Sequence, residues 1–459
     1  MNTSFFVPTL KLIREIVGLF DSEVLSASPQ PAKRLIYKSI PTEVNITQDS
    51  SSIRWSRSQV TKDDWSELIG RFVEQRVKVL PQFAIARDQL LERAEKRILA
   101  TIQGDHARQV EFWLTVFISR ILDESVAGRL TQDSIAEYTA RLFSELEGSE
   151  LDFDCTVDLD GIYLEHGPID IKRGAILRSA EASDFEHEED GSEYLIGQVF
   201  GQSNSKVVLS LRYRASCELD CQTHLANILD AIRLYKLGSV RPCRTRILKH
   251  TVIWPMGAVL TGSDRQNAFR TSVIKEVDES KLSLFVDRVF DSVSQLNCDE
   301  KLRHIGISLQ RYRSALLDPF PNDIRLMTSV MSMEALFLED SDDRAGGQKL
   351  GLRLARLLGH LSIDPLRIRD TVGSAYRIRS KVVHGSRIDA KQSEEIAEVL
   401  PEFLNYSRLA ILIFLLYPDA RKSDLLKLIN NSCISDRHNT SLKNQIEELA
   451  TEFSFEISG

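Results

Sequence analysis

Apolar positions along this chain change their spacing several times, and the changes divide it. The N-terminal run MNTSFFVPTLKLIREIVGLF interrupts its apolar residues with Lys11, Arg14 and Glu15, which predicts an amphipathic helix and not the unbroken apolar core of a signal peptide. Residues 21–57 are rich in Ser, Pro and Thr without sustained periodicity and read as loops around a short apolar stretch at Arg34–Tyr37. From Lys62 to about Glu147 the spacing becomes helical. Trp65, Leu68, Ile69 and Phe72 recur every three or four residues, as do Val110, Trp113, Leu114, Phe117 and Ile118. After the turn EGSELD, strand signals dominate from Leu151 to Ala215, including TVDLDGIY from Thr156 and VVLSLRYR from Val207. Asp160-Gly161 and His166-Gly167-Pro168 serve there as turns. A helix is expected at about Glu218–Leu237, then strand-like segments through Val252, Ile253, Val259 and Leu260. From about Lys281 the pattern is helical nearly to the end.

These patterns predict an α+β protein in four parts: an N-terminal helix and loops at 1–57, a helical region at 58–150, a β-rich domain with one helix at 151–270, and an all-α C-terminal bundle at 271–459. Its 459 residues, 42% of them hydrophobic, suffice for two to four cores at roughly 100 to 200 residues per domain. The net charge of −8 argues against a protein that coats nucleic acid or membrane surfaces with its whole exterior, so a polyanion would have to meet a local basic patch. Six scattered cysteines do not make a disulfide framework and suit a reducing, cytoplasmic setting. The most lipid-like run, Ala410–Tyr417, ends at Pro418 and is far shorter than the roughly 20 residues that span a bilayer, so no membrane partner is expected. The acidic stretch SDFEHEEDGSE at 183–193 reads as a solvated loop between strands.

Candidate chemistry lies at YRIRSKVVHG, residues 376–385, where Arg379 and His384 are separated by four residues and Gly385 stops the helix. Metal-independent RNA cleavage needs a group that moves the proton of the 2′-hydroxyl or of the leaving oxygen. It also needs a fixed cation for the charge that builds on the phosphate, and histidine and arginine suit these two tasks. On an ideal helix Arg379 and His384 lie about 140° apart, whereas Arg377 and His384 are about 20° apart and roughly 10 Å along the axis, so either arginine could serve the histidine. Between Asp342 and Arg387 there are ten basic residues, Arg344 among them, and four acidic ones. Such an excess would supply sequence-independent, salt-sensitive affinity for phosphates.

The segments ISLQRYRSALL from Ile307, RLMTSVMSMEALFL from Arg325, KLGLRLARLLG from Lys349 and RSKVVHG from Arg379, in that order, resemble the HEPN superfamily (higher eukaryotes and prokaryotes nucleotide-binding), specifically its Apea-like branch. The resemblance covers about residues 300–420. It implies that 271–459 is a HEPN-like helical bundle that forms a homodimer, with a composite ribonuclease site needing no metal or cofactor where two copies of the motif face each other. Arg379 and His384 then take the family's catalytic positions and Glu334 that of its frequent acid. Arg377, Ser380 and Lys381 would support them, and Arg353, Arg356 and Arg387 would bind RNA. Ser380 stands where the family often has Asn, Asp or His. Ser386 stands where some members carry a modifiable tyrosine. The implied function is an endoribonuclease in prokaryotic antiphage defence, cutting tRNA or other RNA and answering to a phage-derived trigger. The alternative is a non-catalytic RNA-binding or dimerising module beneath a sensing N-terminal region.

Other signals are weaker. Cys217, Cys221 and His224 stand at helical spacing with Cys243 nearby, but paired Cys-x-x-Cys knuckles are lacking, so a zinc site is disfavoured. His304 and His360 read as ordinary surface or packed histidines. No phosphate-binding glycine loop, nucleophile elbow or His-Glu-x-x-His motif occurs.

Overall fold

The computed structural model describes residues 6–46, 51–94, 105–185, 187–190, 207–252, 258–261, 270–296, 298–339, 345–417, 421–455 and 457. Ile253, Arg344, Pro418 and residues 191–193 of the acidic stretch lie outside them. The class is α+β.

Among the described residues, five N-terminal helices build a core of their own. They are α1 (Phe6–Glu23), α2 (Ser66–Phe72, continued by a wider turn at Val73–Val77), α3 (Pro81–Arg93), α4 (His106–Val126) and α5 (Gln132–Leu146). Their apolar stripes converge, so that Ile13, Phe20, Phe72, Trp113, Phe117 and Leu142 are all buried together. The starts are encoded locally. Asp105 accepts hydrogen bonds from the amides of Ala107 and Arg108, and Thr131 and Ser134 cap α5 reciprocally.

The expectation of loops at 21–57 is corrected. β1 (Ala32–Ile46) and β2 (Ser51–Asp64) form a long antiparallel hairpin, with Ala32 opposite Asp64 and Ile46 opposite Ser51. The helical region accordingly begins at Ser66 and not near Lys62. The acidic stretch is also more than a loop. A short helix, α6 (Ala182–Phe185), places Asp184 in a buried bidentate pair with Arg178, and β7 (His187–Asp190) pairs with β1 from Ile36 to Ser39.

Among the described residues, the middle of the chain forms an antiparallel sheet of six strands. Its members are β3 (Leu151–Asp160), β5 (Ile169–Lys172), β6 (Ala175–Ser179), β8 (Val207–Ala215), β9 (Arg241–His250) and β10 (Ala258–Thr261), in the order β10-β9-β3-β8-β6-β5. Phe153, Cys155, Val157 and Leu159 alternate onto the face covered by α7 (Glu218–Tyr235). β4 (Ile162–Leu164) pairs in parallel with β11 (Ser272–Ile274). Gly161, at φ +74°, turns the chain between β3 and β4, and a Cβ there would lie 2.2 Å from the carbonyl oxygen of Ser239.

The remaining helices among the described residues are α8 (Glu279–Gln295), α9 (Arg303–Leu317), α10 (Asn322–Phe337), α11 (Gly346–Leu358), α12 (Pro365–Val383), α13 (Ala390–Leu416), α14 (Lys422–Ser432) and α15 (Asp436–Glu452). They share one continuous hydrophobic core with α7 and the sheet, so packing does not divide the chain at 270 as expected. α13 is the central helix, and its most apolar window is 78% buried inside the protein. Arg408 on α13 is 0% exposed and donates to the carbonyls of Leu234 and Tyr235, at 2.9 and 2.7 Å, where α7 ends. The bundle thereby satisfies the terminal carbonyls of the sheet's helix.

Candidate functional site

The motif occupies the last turn of α12 and the residues beyond it. Asp364 caps the helix start by accepting from the amide of Leu366, and Pro365 sits at the first helical position. At the other end, the amide of His384 donates to Ser380 O, that of Gly385 to Val382 O, and that of Ser386 to Lys381 O. Gly385 adopts φ +70°, so the helix ends in a Schellman turn, with His384 exposed at its lip.

Arg379 faces the opposite way, into the bundle. Its Nη2 lies 3.2 Å from Glu334 Oε2 on α10, and its guanidinium carbon lies 5.6 Å from the centre of the Tyr376 ring. Its Nε is buried without a hydrogen-bond partner. Burial and the neighbouring Glu334 carboxylate together push the Tyr376 hydroxyl above its ordinary pKa. Tyr376 is seated by two glycines at the start of α11. A Cβ on Gly347 would lie 2.7 Å from Tyr376 Cδ1, and one on Gly346 would lie 3.0 Å from the hydroxyl. Glu334, placed by the resemblance as the family's frequent acid, pairs with Arg379. Tyr376 and the glycine pair were missed by sequence reading. The available signal was an aromatic ring one helical turn before Arg379.

No hydrogen bond joins Arg379 to His384 among the described residues, and Arg379 pairs instead with Glu334. Arg377, the other candidate cation, is exposed and pairs with Glu395 on α13. Ser380 and Lys381 are half-buried on the last turn. Lys381, His384 and Arg387 have no ion-pair partner among the described residues, and Arg387 is exposed beside the histidine in sequence. These three therefore form the exposed basic end of α12.

Two expected RNA-binding residues are corrected. Arg353 is 7% exposed, with Nε 3.0 Å from Asn430 Oδ1 and Nη1 donating to the carbonyl of Phe337. Arg356 is bound through Nε, at 3.0 Å, to Ser432 Oγ and through Nη2 to that residue's carbonyl. Both arginines fasten α11 to α14, Arg353 from inside the bundle and Arg356 from a half-buried position, which turns their guanidinium groups to these partners. Arg367 and Arg369 pair with Glu402 and Asp370. The count of ten basic residues thus overstated the open positive charge, because acids on α13 lie outside the counted segment.

A groove of about 750 Å3 runs between α11 and α12, lined by Gly351, Leu352, Arg369, Gly373, Tyr376 and Arg377 among others. Tyr376 is its shared wall with the Arg379 cluster.

The disfavoured zinc set is dispersed among different surroundings. Cys217 is exposed at the start of α7, and Cys221 is buried in the core near Cys155. The His224 ring stacks on Tyr213 at 3.9 Å and lies 4.7 Å from Phe290. Cys243 lies on β9, its thiol pushed up to about 12 by burial. No group of three side chains suited to a metal forms among the described residues. His304 and His360 are packed, and burial lowers the pKa of each.

The chain matches no known family profile, no curated protein and no solved structure.

Proposed function

We propose that the C-terminal bundle is a metal-independent endoribonuclease of the HEPN type, acting as a homodimer. The observation that carries this reading is Arg379, a cation held in place by Glu334 and Tyr376 with one buried donor, Nε, that has no acceptor, on the same helix as the exposed His384. The Arg379 side chain is 28% exposed, and an incoming phosphate oxygen would approach that open part of the guanidinium, which the buried contacts hold in place.

In this mechanism His384 takes the proton of a ribose 2′-hydroxyl. The 2′-oxygen forms a bond to phosphorus as the bond from phosphorus to the 5′-oxygen breaks, and the leaving oxygen takes a proton from a general acid. The products are a 2′,3′-cyclic phosphate and a 5′-hydroxyl. Arg379 stabilises the charge on the non-bridging oxygens. Because Arg379 faces the bundle and His384 its exterior, the reading requires a second copy to bring an arginine and a histidine to one phosphate. Lys381 and Arg387 would steer RNA to the histidine, and Arg377 would assist. A cytosolic role in antiphage defence, with tRNA or another RNA as target and a phage-derived trigger, extends the same resemblance and is proposed with it.

A second reading has its own support. Glu334 already partly neutralises Arg379, which suits a bundle that binds RNA or dimerises without cutting. The two are separated by incubating purified protein with total RNA in excess EDTA. Cutting by the wild type that is lost in His384→Ala supports the nuclease. Cutting that persists in His384→Ala removes the assigned site, and binding without cutting supports the second reading.

A further inference from the structure

We propose that the groove between α11 and α12 is a subsite for a single-stranded RNA, holding the nucleotide next to the phosphate that Arg379 binds. The inference rests on the reading of this bundle as an RNA-binding domain. Its volume, about 750 Å3, lies within the range of sites that enclose small organic groups.

Continuity is the first argument. One edge of the groove is Tyr376, whose ring lies against the Arg379 guanidinium, so a chain with its phosphate at Arg379 has the groove as its immediate neighbour. The second argument is Gly373, an exposed glycine inside α12. Glycine is among the poorest helix formers, yet no heavy atom lies within 4 Å of the position its Cβ would take, and its φ is not positive. Nothing in the fold requires glycine there, whereas a side chain would project into the groove. Gly347 and Gly351 line the facing wall, where Tyr376 and Arg369 pack against them and leave the Tyr376 ring as the surface on which a planar base can stack.

The rim supplies the polar chemistry. Arg369 and Arg377 stand there in partly exposed ion pairs with Asp370 and Glu395, a kind of pair that contributes little and that a phosphate can displace. Guanidinium planes also stack on unpaired bases, and the amide of Gln348 offers a donor and an acceptor to a base edge. Bases in a duplex are not available for such contacts, which is why the occupant is single-stranded. The competing occupant is a second copy of this chain, which Leu352, 59% exposed on the same wall, would also accommodate.

The test uses the full-length protein and a single-stranded RNA carrying 4-thiouridine, irradiated and mapped by peptide. Crosslinks to the peptides containing Gly351–Leu352 or Gly373–Arg377 are expected. Gly373→Phe, which fills the groove from an open position, should bind the same RNA about tenfold more weakly while Gly373→Ala binds nearly as the wild type does. Leu352→Trp should repeat the effect from the other wall. Crosslinks confined to the Lys381–Arg387 end, with unchanged affinity in both bulky variants, would overturn the subsite and leave the nuclease reading intact. Loss of a dimer in Gly373→Phe with RNA affinity unchanged would assign the groove to the second copy. A wild type that binds no RNA would overturn both.

Discussion

Two glycines on facing helices carry opposite expectations although each lines the same groove. At Gly347 a methyl group would meet the Tyr376 ring at 2.7 Å, and that ring packs against Arg379, so Gly347→Ala should cost about 1 to 3 kcal/mol and displace the arginine. At Gly373 the methyl group meets nothing, and Gly373→Ala should stabilise α12 by about 0.5 to 1 kcal/mol. Chemical denaturation of both variants checks the contrast, and equal effects would contradict the seating of Tyr376. Buried histidines make a further prediction. Desolvation lowers the pKa of His224, His304 and His360 in the folded state. The unfolded chain therefore binds more protons below about pH 6.5, so this contribution to stability is complete above that value and is lost as pH falls towards the folded values. The melting temperature should drop between neutral and mildly acid pH. The drop should be smaller in His224→Gln, and an identical pH slope in that variant would rule His224 out as a contributor.

At the scale of elements, legibility followed burial. Amphipathic helices such as α4 and α12 and the strands β3 and β8 were readable because one face of each is buried, which imposes a period on the sequence. The hairpin β1-β2 was not, because a small sheet of which it forms two of three strands need not bury a whole face: Arg34, Ser56, Ser58 and Lys62 are exposed, and no apolar alternation is enforced. Its remaining signal was β propensity, from Ile36, Tyr37, Val44, Trp55, Val60 and Thr61. The site divides in the same way. The end of α12 was legible because Gly385 marks it. Substituting Gly385→Ala, which places a Cβ at φ +70°, should destabilise by about 1 to 2 kcal/mol, measurable by thermal melting. The fates of Arg353 and Arg356 were not legible, because their partners Asn430, Ser432 and the Phe337 carbonyl are remote in sequence or part of the backbone. A basic side chain is read as surface until its acceptor is known.

At the scale of the molecule, two hydrophobic cores meet at one polar seam. Val252, just after β9, is buried in the N-terminal core, while β9 itself belongs to the sheet that shares its core with the bundle. Glu145 of α5, 7% exposed, accepts hydrogen bonds from Thr251 Oγ1 and from the amide of Val252 at 2.9 Å. Arg120 and Arg141 donate to the carbonyls of Thr251 and His250. A buried carboxylate that satisfies a backbone amide ties the two cores more firmly than an exposed ion pair could, since its removal leaves that amide without an acceptor. Glu145→Ala should therefore cost about 2 to 4 kcal/mol, felt at the seam and not within either core. Calorimetry should then resolve two transitions in the variant, and limited proteolysis should cut in the turn at 147–150 that joins α5 to β3, releasing the N-terminal helices from the sheet and bundle. A single transition lowered as a whole, with no new cleavage, would mean that the two cores unfold together for reasons beyond this seam.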